Sequence, residues 1–123
     1  MTPFGRVTVA MQIINTANAE HYRWGDGADG WHLVNSPELS VIEERLPPGG
    51  REVRHAHVTA QQFFYVLDGE AELEVDGTVL RVLAGSGCQV PAGVPHQLLN
   101  PTDAVVRFLV VSQPHSHGDR VPA

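Results

Sequence analysis

The chain contains no lysine; its eight basic residues are all arginine. Schiff-base and lysine-nucleophile chemistry are therefore excluded before any motif is read. One cysteine, Cys88, rules out an internal disulfide, and its simplest use is as a small residue packed in a strand. No apolar run approaches the roughly 18 residues of a membrane span, and no charged segment followed by an apolar stretch opens the sequence. The expectation is a soluble protein of a reducing, cytoplasmic compartment with no membrane partner. Fourteen acidic residues against eight basic give a net charge of −6 with no basic patch, which argues against nucleic acid as a partner. With 123 residues the chain has the size of one domain and needs no disulfide or metal merely to fold. Against these absences stand seven histidines, many for so short a chain.

No convincing helix is legible. Strands of about five residues recur at near-regular spacing, separated by Gly and Pro turns, which describes a small antiparallel sandwich or barrel. A core barrel is expected over about residues 31–112. It is preceded by an N-terminal segment, about 1–30, that could pack on another subunit through Val7 to Ile14 and its aromatic residues, and it is followed by a tail at 113–123. Tyr22 to Gly30 reads as a turn-rich loop before a strand at Trp31 to Val34. Asp68-Gly69 and Asp76-Gly77 are both strong hairpin signals. Between them Ala71, Leu73 and Val75 alternate with Glu70, Glu72 and Glu74, which puts three carboxylates on the wet face of a half-buried strand.

His55 and His57 are two apart on a predicted strand, so their imidazoles share a face with Cα atoms roughly 6.5–7 Å apart. Gln62 begins the following strand, and His96 follows a Pro-Gly-rich turn. Their convergence inside a barrel would offer three imidazole nitrogens and an amide oxygen to a divalent first-row metal.

The residues around them resemble the two signature motifs of the cupin superfamily. The first runs from Gly49 through five residues to His55 and His57, then four to Gln62 and six to Gly69. The second runs from Gly85 through five residues to Pro91, then Gly93, His96 and Asn100. The resemblance implies an all-β fold, a double-stranded β-helix or jelly-roll barrel, with a metal in its mouth (Mn, Fe, Ni or Zn) on His55, His57, Gln62 and His96, and frequently a homodimer. Most metal-binding cupins carry glutamate where this chain has Gln62. A neutral amide leaves the 2+ charge uncompensated, so the centre should attract an anionic small molecule more strongly and polarise its oxygen better. The His, His, Gln, His set is similar to that of the small cupins of pectin breakdown, which convert cyclic unsaturated uronates to linear keto-acids.

If Gln62 points inward, so do Phe64 and Val66; if His96 does, so does Leu98. Phe64 is then plain core or a substrate platform. Arg45 and Arg107 lie on strands whose inward parity the sequence leaves open; either could clamp a carboxylate or be a solvated surface group. No residue stands out as the acid or base for proton transfer. His21 and His32 read as packing or surface groups. His115 and His117 form a second His-x-His in a polar tail without further ligands, although that tail could fold back over the barrel mouth. The expected activity is metal-assisted isomerisation or tautomerisation of a small anionic sugar acid or keto-acid. An iron-dependent dioxygenase and a non-catalytic sensing cupin are the rivals, because one barrel hosts all three.

Overall fold

The computed structural model describes residues 11–116 and 118–123. The expected packing segment at Val7 to Ile14 lies mostly outside these residues, as does His117 of the second His-x-His. Eleven strands and no helix make up the described residues: β1 (Glu20–Trp24), β2 (Ala28–Asn35), β3 (Ser40–Leu46), β4 (His55–His57), β5 (Gln61–Asp68), β6 (Glu70–Val75), β7 (Thr78–Leu83), β8 (Gly87–Val90), β9 (His96–Leu99), β10 (Val106–Gln113) and β11 (Arg120–Pro122). They form two antiparallel sheets, β1-β2-β3-β10-β5-β8 and β11-β4-β9-β6-β7. This is the double-stranded β-helix expected from the sequence motifs.

Alternation decides which side chains fill the space between the sheets. On β5, Gln62, Phe64 and Val66 are buried, and on β10 Val106, Phe108, Val110 and Ser112 are. Leu73 of β6 and Leu98 of β9 complete the core from the other sheet. Glu70, Glu72 and Glu74 take the outer face of β6, where Glu70 pairs with Arg81 and Glu74 with Arg54.

Two local expectations are corrected. Tyr22 to Gly30 is not one loop: β1 and β2 are paired from Glu20–His32 to Trp24–Ala28, and only residues 25–27 turn. Gly25 and Gly27 both have positive φ, so two glycines two apart suffice for the reversal. Asp68-Gly69 is not a hairpin between paired strands but a corner that carries the chain from one sheet to the other. Gly69 has φ +83°, and a Cβ there would sit 2.8 Å from the Val105 carbonyl oxygen, so the corner passes hard against the start of β10. The Asp76-Gly77 turn, by contrast, does join the paired strands β6 and β7. The polar tail does not hang free. β11 pairs with β4, and the Asp119 carboxylate accepts the backbone N–H groups of Thr59 and Ala60 at 2.8–3.0 Å.

Candidate metal centre and its cavity

β4 is only three residues long, but its neighbours fix it on both sides. His55 stands opposite His96 of β9, and His57 opposite Arg120 of β11. With Gln62 entering from β5, the two sheets bring together the four residues that the motifs single out. Ligand atoms of His55, His57 and His96 lie within 4.8 Å of one another, so the three could hold one metal ion. All four residues are buried, His96 to 1% and Gln62 to 6% exposure.

Burial also sets their protonation. Desolvation lowers His55 to a pKa of about 4 and lowers His57 and His96 as well, so at neutral pH all three rings are neutral. The Nδ1 of His55 donates to the Val53 carbonyl at 2.7 Å, and the Nδ1 of His96 donates to the Val94 carbonyl at 3.0 Å. In a neutral ring this leaves Nε2 as a lone pair. The buried Nδ1 of His57 has no partner. Gln62 donates its amide N–H to Ser112 Oγ at 3.0 Å, which turns its carbonyl Oε1 toward His96 Nε2, also at 3.0 Å. Two lone pairs thus face each other in a buried site, and a third ring nitrogen nearby is unpartnered. A cation satisfies all three, so the donor set fits a divalent metal.

His55, His57 and Gln62 line a cavity of about 420 Å³, whereas His96 is buried and does not border it. Its walls contain groups that the sequence motifs do not mark. Tyr22 and Trp24 come from β1, His32 from β2, Glu44 from β3, Glu52 from the segment before β4, and Arg120 from β11. The Tyr22 phenol donates to Glu44 at 3.0 Å. Burial raises Glu44 to a pKa of about 7, against the lowering effect of that hydrogen bond and of Arg120, and raises Glu52 to about 8. Burial and the adjacent Glu44 push the Tyr22 phenol up. Arg120 donates to the Val53 carbonyl that also accepts from His55. One signal in the sequence pointed this way: Ile42, Glu44 and Leu46 share a face of β3, so a carboxylate sits on an apolar stripe.

Arg45 and Arg107 are corrected as candidate carboxylate clamps. They are cross-strand neighbours on the face turned away from the cavity, since Ile42 and Glu44 of β3 and Val110 and Ser112 of β10 take the inner positions. Arg45 pairs there with Asp29 and Arg107 with Glu43. Phe64 is 2% exposed; it belongs to the core, borders the cavity and packs its ring against His96 with centroids 5.6 Å apart. His21 pairs with Asp29 on the surface, whereas His32 borders the cavity. From the tail, His115, Ser116 and Gly118 line the cavity.

The model of the cupin domain family matches residues 42–112, more than half of the chain. The chain belongs to the cupin family. Among related proteins, this cupin is 28% identical over 89 residues to an uncharacterized protein of Methanocaldococcus jannaschii, a match covering 72% of this chain and 71% of that protein. Of the solved structures, a cupin-superfamily sugar phosphate isomerase from Silicibacter pomeroyi superposes with TM-score 0.74 at 27% identity, over 85% of this chain and 76% of that one. KdgF from Halomonas sp. superposes with TM-score 0.78 at 17% identity, over 86% and 96%, a likeness of fold alone. No helix among the described residues is long and apolar enough to cross a membrane.

Proposed function

We propose that this cupin is a divalent-metal enzyme that isomerises or tautomerises a small anionic sugar acid or keto-acid, with the metal on His55, His57, Gln62 and His96. The observation that carries the reading is the meeting of unprotonated acceptors, Gln62 Oε1 against His96 Nε2, at the end of a cavity large enough for a monosaccharide. When bound, a Mn, Fe, Ni or Zn ion supplies an electrophile that polarises a ligand oxygen. All four donors are neutral, so no ligand charge offsets the ion and an anionic ligand is favoured. Arg120, the one arginine among the described residues that borders the cavity, is the group that would recognise the anion. Phe64 and Val110 contribute to the apolar part of the wall. The likeness to a sugar phosphate isomerase at 27% identity supports the reaction class. A homodimer through the N-terminal segment and a cytoplasmic location belong to the same proposal.

The test is a pair of measurements on protein loaded in turn with each metal and given candidate uronates and 2-keto-acids. Proton NMR should detect a rearranged product while an oxygen electrode records no consumption. Stoichiometric oxygen uptake would make the protein a dioxygenase, and tight binding without turnover would make it a sensor.

A further inference from the structure

The cavity that His55 and His57 border also holds a hydrogen-bonded pair built across three strands. Tyr22 on β1 stands opposite Gly30 on β2, and Gly30 stands opposite Glu44 on β3. A cross-strand row normally places a side chain at the middle position, which would block the first from reaching the third. Here the middle residue has none. A Cβ built on Gly30 would lie 2.2 Å from Tyr22 Cζ and 2.5 Å from its hydroxyl oxygen. The phenol occupies the space that the missing side chain leaves, and so reaches Glu44. Gly30 does not have positive φ, so backbone conformation is not what calls for glycine there.

We propose that Glu44 is the catalytic group that takes and returns the proton in the isomerisation, and that Tyr22, admitted by Gly30, is its positioning residue. This rests on the reading of the cavity as a metal-dependent isomerase site. In the proton transfer, the C–H bond beside a substrate carbonyl breaks. Its proton forms an O–H bond with the Glu44 carboxylate, and its electron pair moves to the carbonyl oxygen. In a hydroxy-carbonyl substrate, return of the proton to the former carbonyl carbon, with the hydroxyl proton of the first carbon passing to the former carbonyl oxygen, completes the rearrangement with no net change in charge or in overall oxidation state. A carboxyl that titrates near neutrality suits both directions of this exchange. Tyr22 stays protonated and donates to the carboxylate. The other titratable or charged groups around this end of the cavity are His32 on β2, Glu52, and Arg120 on β11.

The experiment uses metal-loaded protein and oxalate, a planar dianion with the charge of an enediolate. Calorimetric titration in buffers of different ionisation enthalpy counts the protons taken up per oxalate bound. If Glu44 is the proton carrier, wild type takes up about half a proton per oxalate at pH 7 and close to one at pH 8 to 9, because the dianion forces it onto Glu44. Glu44→Gln, an isosteric change, should bind oxalate with uptake near zero, while Glu52→Gln keeps the uptake. Tyr22→Phe and Gly30→Ala should both move the midpoint of the uptake to higher pH, since each removes the hydrogen bond that lowers Glu44; a purely structural tyrosine would not move it. Uptake undiminished in Glu44→Gln overturns the assignment while leaving the metal-site reading intact. Failure of oxalate to bind the metal-loaded wild type overturns the functional reading and the assignment with it.

Discussion

The carbonyl oxygen of Gln62 lies 3.0 Å from Nε2 of His96, and both atoms are hydrogen-bond acceptors because their opposite ends are already committed as donors. Ser112 enforces this by accepting the Gln62 amide N–H. In Ser112→Ala the amide is free to turn and donate to His96 instead, satisfying the pair without a cation. Loss of an outer-shell partner of this kind typically costs about 10- to 100-fold in metal affinity. Competition against a chromogenic chelator should show a loss of that size for Ser112→Ala, with the melting temperature of the metal-free protein nearly unchanged.

Gln62→Glu replaces a neutral donor with a charged one at the same position. One unit charge a few ångströms away is worth on the order of 2–4 kcal/mol at an effective dielectric near 20. The variant should hold its metal more tightly but bind oxalate at least about tenfold more weakly, as read by calorimetry on the metal-loaded protein. Stronger oxalate binding would contradict the charge argument.

Arg120 and the pair Arg45 and Arg107 lie on different faces of the barrel wall. Arg120→Gln should lower the affinity for a uronate or oxalate by about tenfold or more, since it borders the cavity. Arg45→Gln and Arg107→Gln, whose ion pairs lie on the outer face, should leave that affinity within about twofold and cost at most about 1 kcal/mol of stability. Parallel binding isotherms and thermal melts check both halves.

Glu44 and Glu52 have folded pKa values of about 7 and about 8, above the ordinary 4.5. The fold therefore holds two protons that the unfolded chain releases. The stability they contribute is complete below about pH 4.5 and is lost as pH rises through 7 and 8. The melting temperature of the chelated protein should fall between pH 6 and 9. Each 1 kcal/mol moves it by roughly 3–6 °C for a domain of this size. Glu52→Gln keeps a carbonyl for the Leu98 N–H and should flatten that fall. An unchanged slope would place the lost protons elsewhere.

The metal end of the cavity was legible in the sequence because it depends on local periodicity. Two residues along a strand return to the same face, so His55 with His57, Gln62 with Phe64, and His96 with Leu98 were readable as inward pairs. The rest of the wall was not. Tyr22 reaches Glu44 across a third strand through a gap at Gly30, and Arg120 enters on a strand formed only by pairing with β4; neither relation has a sequence spacing. The parity of Arg45 and Arg107 was settled by the pairing of β3 with β10, a contact between segments some sixty residues apart. Asp68-Gly69 misled because a glycine with positive φ serves a sheet-to-sheet corner as well as a hairpin.

The central claim, a divalent metal on the three histidines and Gln62, is tested most directly by elemental analysis of protein purified from metal-supplemented medium. The account predicts close to one equivalent of a first-row metal per chain in wild type, retained in Arg45→Gln and lost in His55→Ala/His57→Ala. A wild-type protein without bound metal, or a double variant that keeps its full equivalent, would contradict it.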